Sequence, residues 1–443
     1  MMLKGTNQAG YADYGAFARA VYETGVLSDP WFDGSERFGM RGVVLAPGLA
    51  REMAEAAERV AYVHQELVDI LCERPALLTD FYQLTECQQA MWESAGGLWH
   101  GMARADLFVC EDGRVTCCEL NSDTPSGQPE AVLLNCLLRD SQEGVGRDEL
   151  DDPNAALEAR YVAMLRESHA KTTDRPLASV GVIYPTELTE DLALITLLTR
   201  WLEAAGLRVV CGSPFNLRRT PRGVEVLGEP VDLIVRHYKT DWWGERVPVW
   251  KDAPDYPDPE PLYEALGALL AAESNGEVTV VNPFGSVVTQ NKLSLAFMWE
   301  EQGRFSPRAR EWIRQYVPET FRLAGVDLHR LSIEQDGWVI KSNYGCEGDE
   351  TICGPFVSGE VWRKSLEQAR AGQFVAQRFF RVRADESGRL PNYGVYLLGG
   401  AAGGYFTRLS RQSTNYGAVT VPTYVARPRD RGVEWITTAA IKS

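Results

Sequence analysis

The 443-residue sequence predicts an α/β protein of two or three domains, too long for one ordinary core. Three observations carry this reading. A strand–helix–strand rhythm fills residues 178–240. Helical apolar spacing follows Pro47. Short alternating strands flank a turn at 104–121 and return near the end of the chain.

In order, residues 43–73 predict a helix after Pro47, with Met53, Ala57, Val60 and Leu67 on one buried face. A second helix is expected near 81–95, another over 127–138 starting near Pro129, and a fourth over 154–168 after the irregular DELDDPNA. ASVGVIYPTE reads as a buried strand, DLALITLLTRWLEAAGL as a helix ending at Gly206, and RVVCG as the next strand. VEVLGE, VDLIVRHY and VTVVNP add strands, and APDYPDPEP is a loop before a helix at 261–273. This is the pattern of a parallel sheet. Beyond residue 286, helices are expected from Lys292 through LSLAFMWEE, at 307–315 and at 359–370. FVAQRFF is a strand, and NYGVYLLGGAAGGYFTRLS is two strands joined by small residues. The expected division is 1–175, 176–285 and 286–443.

Composition narrows the function. A net charge of −16 disfavours unspecific binding to nucleic acid or acidic membrane. Nine dispersed cysteines without a CxxC fit reduced thiols and a cytoplasmic setting. No apolar run reaches membrane-spanning length, and the first residues lack the apolar core of a signal peptide. No GxGxxG follows the first strand of the α/β unit, HExxH is absent, and the five histidines show no metal-ligand spacing.

Two stretches carry chemistry. In RADLFVCEDGRVTCCELN, Asp112-Gly113 suits a two-residue hairpin loop, so Glu111 faces Arg114, Asp106 faces Glu119 and Arg104 faces Asn121. Those four site groups then share one strand face, with Ala105, Leu107, Val109, Cys118 and Leu120 on the other. Opposed carboxylates repel, so a positive group is expected between them. Oxygens from Asp106, Glu119 and Asn121 suit Mg²⁺. In VIKSNYGCEGDE, a strand carries Lys341 outward, and Gly345 and Gly348 let backbone N–H groups gather around phosphate oxygens. It is not the P-loop pattern. A solvated polar face and an ordinary glycine turn are the structural alternatives for these stretches.

The order RADLF, CCELNSDTPSG, NPFGSVVTQNK, VIKSNYGCEGDE, FVAQRFF, YFTRLS and STNYGAVTVP resembles glutathionylspermidine synthase and its relatives over most of residues 100–425. The resemblance implies a circularly permuted ATP-grasp with an inserted α/β preATP-grasp-like domain, using ATP and Mg²⁺. It implies that Asp106, Glu119 and Asn121 hold the metal and that Arg104 stabilises the phosphorylated intermediate. Lys292 and Lys341 would reach the ATP phosphates, and Ser342 to Glu350 would cover them. Gln377 would lie near the adenine-binding strand, and Arg408 near the nucleotide or acyl substrate, with Asn415 in a TN motif of undefined role. Where the family often reads KPxxGREG, this chain has KSNYGCEG, with Ser342 and Cys346 replacing proline and arginine. The substitution bears on loop closure or substrate choice. No N-terminal cysteine amidase domain is expected.

The implied activity is ATP-dependent joining of a small carboxylate to an amine through an acylphosphate. A peptide such as glutathione is one candidate acid, and a polyamine one candidate amine. The competing expectations are a small-molecule phosphotransferase and a noncatalytic ATP-binding scaffold. RHYKTDWWGE at 236–245 and YPTE at 184–187 follow strands of the α/β unit, where a substrate crevice would form.

Overall fold

Strand Met102–Val109 lies inside a five-stranded antiparallel sheet whose spatial order is Val419–Val421, Ala401–Ser410, Leu390–Leu398, Met102–Val109 and Val115–Asn121. The sheet therefore joins the hairpin to strands nearly three hundred residues later in the chain. The computed structural model describes residues 10–139, 147–221, 223–244, 262–344, 351–369, 373–412 and 417–427. Gly399 and Gly400, at φ 58° and 88°, make the expected tight return between the two late strands.

One face of this sheet is covered by helix Pro47–Glu73. Met53, Ala57, Val60 and Leu67 are all buried there, and the small Ala56, Ala57 and Ala61 allow close approach to the strands. The other helices lie close to expectation, as Glu86–Ser94, Gln128–Leu138, Leu157–Thr172, Leu192–Ala204 and Tyr263–Ser274.

A four-stranded parallel sheet follows, ordered Thr279–Val281, Leu233–Arg236, Ser179–Ile183 and Arg208–Gly212. VEVLGE does not extend it. Leu227 and Gly228 both have positive φ, so the chain reverses tightly, and Gly223–Val226 joins Leu217–Thr220 and Glu229–Val231 in a separate antiparallel sheet. A further antiparallel sheet, ordered Thr320–Arg322, Phe374–Arg378, Trp338–Ser342 and Thr351–Cys353, has its own small core around Trp338, Ile340, Trp362 and Leu366. The architecture is thus α/β with both parallel and antiparallel sheets. No described helix is long and apolar enough to cross a membrane. Among the described residues no cysteine forms a disulfide.

The hairpin differs from expectation in an instructive way. Its loop has three residues, Glu111 to Gly113, closed by Cys110 N donating to Arg114 O at 2.8 Å and Gly113 N donating to Cys110 O at 2.9 Å. Gly113 sits at φ 91°, where a side chain would strain the turn. Near the loop the pairs are Val109 with Val115 and Leu107 with Cys117. A bulge then absorbs one residue, and Asp106 faces Glu119 and Arg104 faces Asn121 as expected. The extra loop residue and the bulge cancel. The bulge also reverses one assignment. Cys117, not Cys118, enters the apolar core with Leu107, while Cys118 turns toward the polar face.

Gly394 pairs with Asp106 on the neighbouring strand. A Cβ there would lie 2.6 Å from Arg104 Cδ and 3.0 Å from Phe406 O. Gly394→Ala is expected to cost about 1–3 kcal/mol by overpacking against Arg104. Chemical unfolding measures this, and a change below about 0.5 kcal/mol contradicts the packing.

Candidate functional site

The polar face of the hairpin opens into a cavity of about 790 Å³ where the three larger sheets meet. The five-stranded sheet contributes Arg104, Glu119, Asn121 and Arg408. The second antiparallel sheet contributes Lys341 and Gln377. The segment after the parallel strand Leu233–Arg236 contributes His237, Lys239 and Trp242.

Asp106 is 1% exposed and held by two arginines. Arg104 donates from Nε to Oδ1 at 2.7 Å and from Nη2 to Oδ2 at 3.2 Å, and Arg408 donates from Nη2 to Oδ2 at 3.1 Å. Arg104 also donates from Nη1 to Ser126 O at 2.9 Å, which aims it along the cavity wall. The Phe406 ring lies 5.4 Å from the Arg104 guanidinium and 5.5 Å from that of Arg408. Burial works against the Arg104 charge, but Asp106 beside it holds the guanidinium pKa above its ordinary value.

Glu119 lies across the strand pair, its Oε2 3.5 Å from Lys292 Nζ. Burial alone would raise its pKa, but Lys292, Lys341, Arg104 and Arg408 outweigh burial and bring it down to about 2. The positive surroundings expected from the hairpin register are therefore four side chains from four parts of the chain. Lys341 Nζ and Gln377 Nε2 both point at Cys118 O, at 3.5 and 3.4 Å, so the bulge carbonyl links the two antiparallel sheets. Burial pushes the Cys118 thiol up to about 12, which leaves it protonated at neutral pH.

Lys292 immediately precedes helix Leu293–Glu300, and its backbone N donates to Asn343 O at 2.9 Å. The two lysines that resemblance pairs on phosphates are thus anchored to one another through the backbone. Ser342 is buried beside Lys341 but does not line the cavity, because adjacent strand residues face opposite ways. Gly345, Gly348, the rest of the glycine loop and Asn415 lie outside the described residues.

Among the described residues, no three His, Cys, Asp or Glu side chains assemble a metal site. The hairpin instead offers the Glu119 carboxylate and the Asn121 amide on the cavity wall, with Asp106 buried behind them on its two arginines. Asn121 lines the cavity, and its buried Nδ2 has no hydrogen-bond partner. This donor set fits Mg²⁺, an ion that accepts one or two carboxylates and completes its shell with water and phosphate oxygens.

Sequence reasoning missed the residues that brace this face. Asn282 Oδ1 accepts from Gly101 N at 2.8 Å and Met102 N at 2.9 Å. Its Nδ2 donates to Met102, Ser122 and Asp123 carbonyls at 2.8, 3.0 and 2.9 Å. Gln290 Oε1 accepts from Ser122 and Asp123 N–H groups. Asp123 itself binds Arg236 at 2.6 Å. Arg236 is therefore a buried clamp rather than a crevice residue, and Trp243 is buried beneath the cavity wall. Only the DTP turn after ELN hinted at such a joint.

Neither a search of protein-family models nor one of curated proteins finds a match to this chain. Solved structures do match. A glutathione synthetase-like effector from Globodera pallida, in its apo form, aligns over 92% of this chain and 95% of its own, at 10% identity and a TM-score of 0.56. The two share a fold. A protein assigned as a gamma-glutamylcysteine synthetase from Methylobacillus flagellatus covers 81% of this chain and 84% of its own, at 14% identity and a TM-score of 0.43. The likeness is one of mixed-sheet α/β fold alone and does not single out glutathionylspermidine synthase.

The depressed Glu119 carboxyl contributes stability that is fully present above its ordinary value of 4.5 and is lost as pH falls through about 2. Urea unfolding of wild type and Glu119→Gln is expected to show a wild-type advantage on the order of 2 kcal/mol at neutral pH that disappears across that window. A difference independent of pH contradicts the charge assignment.

Proposed function

We propose that this protein is an ATP-dependent carboxylate–amine ligase built on a circularly permuted ATP-grasp, with a glutathionylspermidine synthase-like reaction. The observation that carries the reading is the cation set around Glu119, with Lys292 Nζ 3.5 Å from its Oε2 and Lys341, Arg104 and Arg408 lining the same cavity. Such a surplus of cations around opposed carboxylates suits a polyphosphate tail better than a neutral ligand.

The chemistry follows from charge. A free carboxylate is a poor acyl donor because its leaving oxygen is too basic. Transfer of the γ-phosphoryl group from ATP to that oxygen releases ADP and makes an acylphosphate. An amine nitrogen then forms the C–N bond as phosphate leaves. Lys292 and Lys341 hold the phosphates and offset their charge during transfer. Arg104, fixed by Asp106 and Ser126 O, remains beside the acylphosphate. Gln377 braces the wall near the nucleotide, and Arg408 supports Arg104 by sharing Asp106. Asp106, Glu119 and Asn121 would hold Mg²⁺, and the ion would supply positive charge against the phosphate oxygens. The residue divisions 1–175, 176–285 and 286–443 are proposed as its domains. Small acids, including short peptides, and amines, including polyamines, are its proposed substrates.

A mass-spectrometric screen with ATP, Mg²⁺ and pooled acids and amines tests the reading. A condensed mass with stoichiometric ADP is expected. ADP with a stable phosphorylated acceptor indicates a phosphotransferase, and tight ATP binding without turnover indicates a scaffold. Glu119→Ala is expected to lower Mg²⁺-dependent ADP formation by about 100-fold or more while retaining much of the fold; Asp106→Ala is expected to lower it as far and also to cost about 3–5 kcal/mol of stability, because Arg104 and Arg408 lose their shared carboxylate. Lys341→Ala is expected to weaken ATP use. Wild-type rates in these variants contradict the assigned roles.

A further inference from the structure

We infer that Arg408 is a positioning residue that keeps the hairpin closed to a divalent ion until a polyphosphate draws it away from Asp106. The inference rests on the nucleotide half of the reading above.

Asp106 is buried, and both of its oxygens are taken. Arg104 donates to Oδ1 from Nε at 2.7 Å and to Oδ2 from Nη2 at 3.2 Å, and Arg408 donates to Oδ2 from Nη2 at 3.1 Å. A divalent ion needs one of those oxygens bare. It also meets the charge of the surroundings. Among the described residues at this face, Arg104, Arg408, Lys292 and Lys341 surround the carboxylates of Asp106 and Glu119. With cations in surplus, an ion arriving alone is repelled by more charges than attract it.

The two arginines are not equivalent. Arg104 grips Asp106 with two nitrogens and Ser126 O with a third, and its side chain is 8% exposed. Arg408 grips Asp106 with one nitrogen, lines the cavity and is 18% exposed. It stands on Ala401–Ser410, separated from the hairpin by strand Leu390–Leu398. A phosphate oxygen entering the cavity therefore competes for Arg408 against one hydrogen bond, and for Arg104 against three. When Arg408 turns to the phosphate, Asp106 Oδ2 is opened while Arg104 still balances the buried charge. The phosphate also cancels the surplus of cations, so the ion is then attracted. Polyphosphate and ion each raise the affinity for the other by the same factor.

Mn²⁺ is a paramagnetic substitute for Mg²⁺ at oxygen sites, and electron paramagnetic resonance reads its free fraction. Without nucleotide, wild type and Glu119→Gln should give the same Mn²⁺ titration, because the closed hairpin contributes no site to either. Arg408→Gln should bind one Mn²⁺ about tenfold or more tighter than wild type, and adding Glu119→Gln to it should remove the gain. Lys341→Gln removes as much positive charge but leaves Asp106 held, so its gain should stay below about threefold. A wild-type site that Glu119→Gln abolishes overturns the inference, and this comparison needs no Arg408 variant to fold. No gain in a folded Arg408→Gln, or an equal gain in Lys341→Gln, overturns it too. Calorimetric titration of wild type with ATP and Mg²⁺ tests the underlying reading separately. If ATP binds while the Mn²⁺ results go against Arg408, the nucleotide site stands and the inference falls. If ATP does not bind, both fall.

Discussion

The structure depends on one electrostatic constraint, the facing of Asp106 and Glu119 across a hairpin whose opposite side is core. Two carboxylates a few ångströms apart repel by roughly 4 kcal/mol at the effective dielectric of a protein surface. Burial makes each costlier still. The chain meets this with Arg104 and Arg408 on Asp106, and with Lys292 beside Glu119 and Lys341 nearby. Those cations come from residues far apart in sequence, so their convergence requires the two larger antiparallel sheets and the start of helix Leu293–Glu300 to pack correctly. Charge balance at the cavity and tertiary structure are the same problem.

The bracing around the hairpin answers a mechanical need. Charged groups bind phosphates selectively only if they are held in place before the ligand arrives. Asn282 grips both strands of the hairpin at its base, Gln290 grips the exit, and Lys292 follows two residues later with its backbone tied to Asn343. A short stretch from Asn282 to Lys292 thus supports the carboxylates and supplies a cation to one of them. Few side chains in it reach the cavity, so its effect on function runs through position.

Much of this was legible in the sequence, for a physical reason. Alternation along strands and apolar spacing along helices are local, so the Pro47–Glu73 helix, the parallel strands and the hairpin face could all be read. The pairing of Asp106 with Glu119 was read correctly through a turn that was not. A two-residue loop and a regular ladder give the same register at the site as the observed three-residue loop and bulge. The misplaced cysteine was the cost of that coincidence. Asp123, Arg236 and Asn282 could not be assigned, because the partners that join them across the fold lie 46 to 181 residues away and nothing local distinguishes a clamp from a solvated polar group. Lys341 was read from its strand and the glycine loop after it, whereas Lys292 was located only by resemblance to a known motif order.

The central claim is that the cations around Glu119 are a receptor for the phosphates of ATP, with the hairpin oxygens holding a metal between. A crystal structure with Mg²⁺ and a non-hydrolysable ATP analogue tests it most directly. The account predicts the β- and γ-phosphates beside Lys292 and Lys341, with Mg²⁺ bridging them to Glu119, Asn121 and Asp106. A nucleotide bound elsewhere, or phosphates in this cavity while both arginines keep Asp106 and no metal touches the hairpin, would contradict it.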